Sequence, residues 1–146
     1  MKVDLRSDQG TAIIEFLVVG VLVLVPLLYG ALTIARVEAA ALASTQAVRE
    51  AGRVLMMADT ESQGRRAADA AVDLAFEDQG FAAPSNALNI DCSPRCLAPG
   101  STVLVRVSWR VELPWLPQPL AGWMRGYPIS AERVFRVDAY RSDLES

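Results

Sequence analysis

Phe16-Leu17-Val18-Val19-Gly20-Val21-Leu22-Val23-Leu24-Val25-Pro26-Leu27-Leu28-Tyr29-Gly30-Ala31-Leu32-Thr33-Ile34-Ala35 is the stretch on which the fold turns, twenty residues without a charge. At 1.5 Å per residue such a helix is roughly 30 Å long, the thickness of a bilayer's hydrocarbon core. Leu, Ile, Val and Phe fill 13 of its positions, worth roughly 4–8 kcal/mol of insertion preference if all sat near the helix centre. A secretory signal has an apolar region of only about 7–15 residues with a small-x-small cleavage site behind it, so the run reads as a retained transmembrane helix. The rest of the composition agrees. In 146 residues, 52% are hydrophobic and 21% charged, and the mean hydropathy is +0.25, which excludes a disordered chain and leaves room for about one domain.

Immediately before the run stands one carboxylate, Glu15, in Gly10-Thr11-Ala12-Ile13-Ile14-Glu15. A charge carried to the bilayer centre costs up to about 3 kcal/mol, and less near the interface. Two readings of Glu15 stand side by side. It is an interfacial residue favoured by the helix macrodipole, or the chain is cut after Gly10, which makes Thr11 an α-ammonium one helical turn from the carboxylate. Pro26 removes one backbone hydrogen bond from the span and clashes with the preceding turn. It marks either an ordinary kink or a point of local melting at which the helix can extend.

Gly10, then Thr-Ala-Ile-Ile-Glu, then an unbroken apolar run resembles the class III signal of type IV pilins, which a prepilin peptidase cuts after the glycine. The resemblance implies that Gly10 is the last leader residue and Thr11 the first mature one. It also implies that Glu15 aligns the incoming subunit with a neighbour's terminal amine. The leader departs from the family's basic pattern, because Asp4 and Asp8 offset Lys2 and Arg6.

Beyond Arg36 the chain is rich in alanine and free of proline as far as Leu55, which favours helix. Ala41, Val48 and Leu55 recur at seven, with Ala51 between the last two, and form one weakly apolar stripe. Arg49, Glu50 and Arg53 fall on another face, with Glu50 and Arg53 spaced for an i,i+3 pair. Ala47-Val48-Arg49-Glu50-Ala51-Gly52-Arg53 resembles a segment found at this distance after the membrane helix in TadE-like proteins. These are minor pilins or pseudopilins of the tight-adherence (Flp) pilus system. Thr60 and Gln63 fit a capping box that starts a second helix through Arg65, Ala68, Val72, Ala75 and Phe76, ending at Gly80.

After Gly80 the pattern changes to period two. From Thr102 to Val111, Val103, Val105, Val107, Trp109 and Val111 alternate with Arg106, Ser108 and Arg110, the signature of a half-buried strand. Ile129 to Tyr140 alternates similarly, with Phe135 and Val137 facing the core and Arg136 and Asp138 facing out. Ala87 to Asp91 is a short partner strand. Cys92 and Cys96 sit at the turn before the long strand. They form either a disulfide that staples a small module or a redox or metal pair, for which further ligands and the Cys-x-x-Cys spacing are absent. Between the last two strands, Pro114, Pro117 and Pro119 exclude a central strand. Trp115 and Trp123 in that loop either fold back on the sheet or form an exposed contact for another subunit or the membrane surface.

The expected fold is therefore α+β: a long N-terminal transmembrane helix continuing into an amphipathic helix packed on a small antiparallel sheet. Its expected parts are a leader over 1–10, a membrane helix over 11–35, a helical stem over 36–80 and a β-rich module over 81–146. No cofactor, metal or small-molecule substrate is expected. With net charge −3 and scattered basic residues, there is no electrostatic footprint for nucleic acid. The chain has no histidine, and Lys2 is its only lysine, so the common general bases are missing and an enzyme is not expected. The resemblance implies a minor pilin of a type IV adhesion pilus, in the inner membrane with a cytoplasmic leader and a periplasmic C-terminal module. The partners it implies are the membrane, a prepilin peptidase, other pilin and minor-pilin subunits and the assembly platform. The alternative is an unprocessed, signal-anchored envelope domain that binds a partner or ligand.

Overall fold

The computed structural model describes residues 8–112 and 126–140, with side chains from Ala12 onward. Its elements are α1 (Asp8–Met57), α2 (Glu61–Glu77), β1 (Leu88–Ser93), β2 (Thr102–Val111) and β3 (Tyr127–Arg136). The three strands form one antiparallel sheet in the order β1-β2-β3, so the fold is α+β with a transmembrane-capable helix. The chain divides into two compact units, Met1–Ala35 and Arg36–Ser146. The division falls where the charge-free run ends.

In the first unit the described residues are helical and apolar side chains face outward all round. Ile13, Phe16, Leu22, Val25, Leu28 and Ile34 are all more than half exposed. A helix that is apolar on every side and buries none of it within the chain suits a lipid environment.

In the second unit the core lies between the alanine-rich half of α1, α2 and one face of the sheet. Ala40, Ala43, Ala47, Val48, Ala51 and Leu55 of α1 are buried there. Ala41 is exposed, which corrects the sevenfold stripe. An unsupercoiled helix drifts by about 20° per heptad, so over the two heptads from Leu55 back to Ala41 the buried face moves onto Ala40 and Ser44. Opposite stand Val103, Val105, Val107 and Val111, with residual exposure of 0–1%, each worth roughly 1.5–3 kcal/mol on burial. The helix contributes mainly small side chains to this core, and the sheet supplies the volume.

Thr60 caps α2 by accepting a hydrogen bond from the Gln63 amide, as its position predicts. The regular helix runs to Glu77 and stops at Gly80, as expected. Gly80, at φ +73°, lets the chain turn so that Phe81 N–H donates to Phe76 O and Gly80 N–H to Glu77 O, the paired pattern of a glycine-terminated helix. The turn places Phe81 in the core. β3 begins at Tyr127, two residues before the expected start, and ends at Arg136. Val137 is nevertheless buried, its amide donating to Ser101 O while its carbonyl accepts from Gly100 N–H. Two residues opposing one, with Gly100 at φ +74°, make a bulge that ends the regular ladder. Cys92 belongs to β1 itself, opposite Val103, rather than to the turn after it.

Candidate functional site

Glu15 stands in α1 beside Ile13, Ile14, Phe16 and Leu17, which are 63%, 64%, 78% and 59% exposed. It is the one carboxylate in the surrounding apolar surface, since no other acidic residue occurs between Gly10 and Ala35. The backbone of Gly10 and Thr11 is already helical; the Thr11 side chain lies outside the described residues. Residues i and i+4 share a helix face about 6 Å apart along the axis. Thr11 and Glu15 are therefore on one side of α1. Pro26 lies inside the same helix, which continues on both sides of it.

In the second unit the family-like segment separates by face. Arg49, Glu50 and Arg53 are exposed, and Arg53 Nε donates to Glu50 Oε2 at 3.1 Å. With side chains 63% and 50% exposed, such a pair contributes at most a few tenths of a kcal/mol. Ala51 and Gly52 face inward. The ring of Phe135 occupies the place where a Cβ on Gly52 would lie, so the absent side chain is what admits Phe135 against α1. The segment thus combines a solvated charged edge with a docking notch for β3.

Cys92 and Cys96 are joined as a disulfide. The bond closes a five-residue loop, and in the chain-entropy account a loop that short contributes about 2 kcal/mol. Replacing both cysteines with serine is expected to lower the unfolding free energy of the second unit by that amount. A urea titration of the full chain in detergent, followed by circular dichroism, measures it; an unchanged midpoint would show that the staple does not restrain the unfolded chain. Cys96 Sγ also accepts a hydrogen bond from Arg65 Nη2 at 3.6 Å, which ties the loop to α2.

The sequence pattern puts Trp109 on the buried face of its strand and Phe76 in α2, but does not show the contacts that join them. Trp109 Nε1 donates to Ser44 Oγ at 2.9 Å, and that hydroxyl donates to Ala40 O at 3.0 Å. The Trp109 ring meets Phe76 at 4.8 Å and Phe81 at 5.1 Å between centroids. Arg36 Cζ lies 4.7 Å above the opposite partner of this stack, Phe81. The one hint was a single serine in an alanine stripe, facing a strand with a single tryptophan.

An open recess of about 480 Å³ is lined by Met56, Met57, Arg136, Val137, Asp138 and Tyr140. Among the described residues no three His, Cys, Asp or Glu side chains are grouped to hold a metal ion. Trp115 and Trp123 lie outside the described residues. No protein-family model, curated protein or solved structure matches the chain.

Proposed function

We propose that this chain is a TadE-like minor pilin or pseudopilin, a non-catalytic subunit that takes part in the assembly or initiation of a tight-adherence type IV pilus. The observation that carries the proposal is Glu15: the one carboxylate between Gly10 and Ala35, in an apolar stretch of helix exposed all round, one turn after Thr11 and on the same face. A carboxylate is retained in such a surface where a cation neutralises it. Cleavage after Gly10 supplies that cation, the Thr11 ammonium of a neighbouring subunit. On this reading the chain crosses the inner membrane once, with its leader cytoplasmic and its second unit periplasmic. Its partners are the prepilin peptidase, other pilin subunits and the assembly platform.

The test is intact-mass and N-terminal peptide mass spectrometry on protein extracted from membranes of a host with a matching prepilin peptidase. The expected mature chain begins at Thr11. A chain that keeps Met1 to Gly10 overturns the proposal and favours an unprocessed, signal-anchored envelope domain. The near-neutral leader, with Asp4 and Asp8 against Lys2 and Arg6, is the observation on that side.

A further inference from the structure

β3 is an edge strand: within the sheet it pairs with β2 alone. The backbone groups of Val137 bond to Ser101 and Gly100 on the β2 side. Because these groups alternate in direction along an antiparallel strand, Phe135, Arg133 and Ala131 also turn theirs to β2. Arg136, Val134, Glu132 and Ser130 turn theirs to the open side. Pro128, which has no N–H to offer, falls in the outward set, where an edge tolerates it. Ser130, Glu132, Val134 and Arg136 are all exposed. Val134 is 57% exposed, with a carboxylate two residues before it and a guanidinium two residues after.

Charges on an edge normally repel a further strand. On β3 their spacing repels most strands and matches one, a second β3. We propose that β3 pairs edge to edge and antiparallel with β3 of a second copy of this chain, Val134 opposite Val134 of that copy. In this register Glu132 stands opposite Arg136 of the second copy and Arg136 opposite its Glu132. All three pairs are made of outward-directed residues, so each exchanges both N–H···O bonds. A slip of one residue sets these groups against backbone already bonded to β2. A slip of two removes both charge pairs, and a slip of four sets Glu132 against Glu132 or Arg136 against Arg136. Like charges directly opposite are destabilising, so the register is fixed by charge. Within its own chain Glu132 holds Arg106 through Oε2, at 2.9 Å, which leaves Oε1 for the second guanidinium. Arg136 forms no salt bridge among the described residues. The other edge, β1, exposes Asn89 and Asp91 and has no such complementarity. The inference is independent of the pilus reading, because it uses only the second unit.

Cys92 and Cys96 are joined to each other, so a single introduced cysteine reports on a single contact. Val134→Cys and Ser130→Cys are compared as full chains in detergent, oxidised with copper–phenanthroline and separated on a non-reducing gel. At the pairing centre the two Cα atoms are about 5.5 Å apart, within disulfide reach, whereas residue 130 is roughly 27 Å along the strands from its counterpart. Crosslinked dimer is expected to be about tenfold or more abundant for Val134→Cys. Adding Arg136→Glu to the Val134→Cys chain reverses both charge pairs and is expected to lower the yield about tenfold. Mixing that chain with one carrying Val134→Cys and Glu132→Arg restores it, since opposite charges then face each other again. Equal crosslinking at the two positions, as contact through the apolar helix would produce, overturns the proposal. So does a lack of dimer at both, the result if a different segment or protein covers the edge. An Arg136→Glu chain with the yield unchanged, or a mixture that stays low, overturns it as well. Circular dichroism checks the fold of each charge variant, and the comparison of the two cysteine positions decides the matter without them.

Discussion

Phe76→Ala is expected to cost the second unit about 3–5 kcal/mol, the range for removing a buried phenylalanine ring. A domain of this kind is stable by only about 5–15 kcal/mol in total, so the variant sits at or near the edge of folding. The size of the effect follows from what the ring touches. Phe76 is fully buried and, among the described residues, is the largest side chain to be so. It supports Trp109 from one side while Phe81 supports it from another, and Trp109 in turn holds Ser44. Removing the ring opens a cavity and loosens the indole that bridges β2 to α1. Urea unfolding of the full chain in detergent, read by circular dichroism, gives the number. Phe76→Leu, which keeps most of the volume, is expected to lose clearly less. A Phe76→Ala midpoint within about 1 kcal/mol of wild type would mean that the aromatic cluster is not the keystone of the unit.

Glu15→Ala is expected to leave the peptidase product unchanged, a chain beginning at Thr11, while incorporation into the pilus fails. The expectation rests on the pilin proposal and addresses a different step from the cleavage experiment. In an apolar fibre or bilayer the Thr11 ammonium of one subunit needs a counter-charge, and a charge left alone at membrane depth costs about 2.5–3.5 kcal/mol on insertion scales. That is a loss of roughly a hundredfold in the equilibrium for docking each subunit. The substitution also makes the helix more apolar, so membrane insertion itself is not impaired. Quantifying the protein in sheared pilus fractions against the membrane fraction reads the effect, and pili that take up Glu15→Ala normally remove the alignment role.

The parts of the fold that announced themselves in the sequence are those whose signal is periodic or local. A charge-free run of twenty residues, an alternating Val-rich strand and Thr60 three residues before Gln63 each depend only on near neighbours. What stayed hidden depends on distant partners. The exposure of Ala41 and the burial of Ser44 follow from the rotation of α1 against the sheet, and nothing in an alanine-rich stretch distinguishes one face from another by more than a methyl group. Gly52 read only as part of a family-like segment, because the Phe135 ring that fills its notch lies in another strand. β3 starts before Pro128 because an edge strand tolerates a residue without an N–H. Of the candidate site, Glu15 was legible because a lone charge in apolar surroundings is conspicuous. The link between Arg65 and Cys96 was not, as it joins residues 31 apart.

Ser44 and Trp109 are separated by 65 positions, and that interval has a meaning during synthesis. A ribosome adding about 5–20 residues per second takes roughly 3–13 s to deliver the indole after the hydroxyl it will hold. Throughout that wait the stem's inward face lacks the strand that will cover it. Had it been written in leucine, the nascent chain would present a sticky flank to its neighbours. Written mostly in Ala40, Ala43, Ser44, Ala47 and Ala51, with Val48 and Leu55 as its larger side chains, it offers little apolar bulk until the valines of β2 arrive.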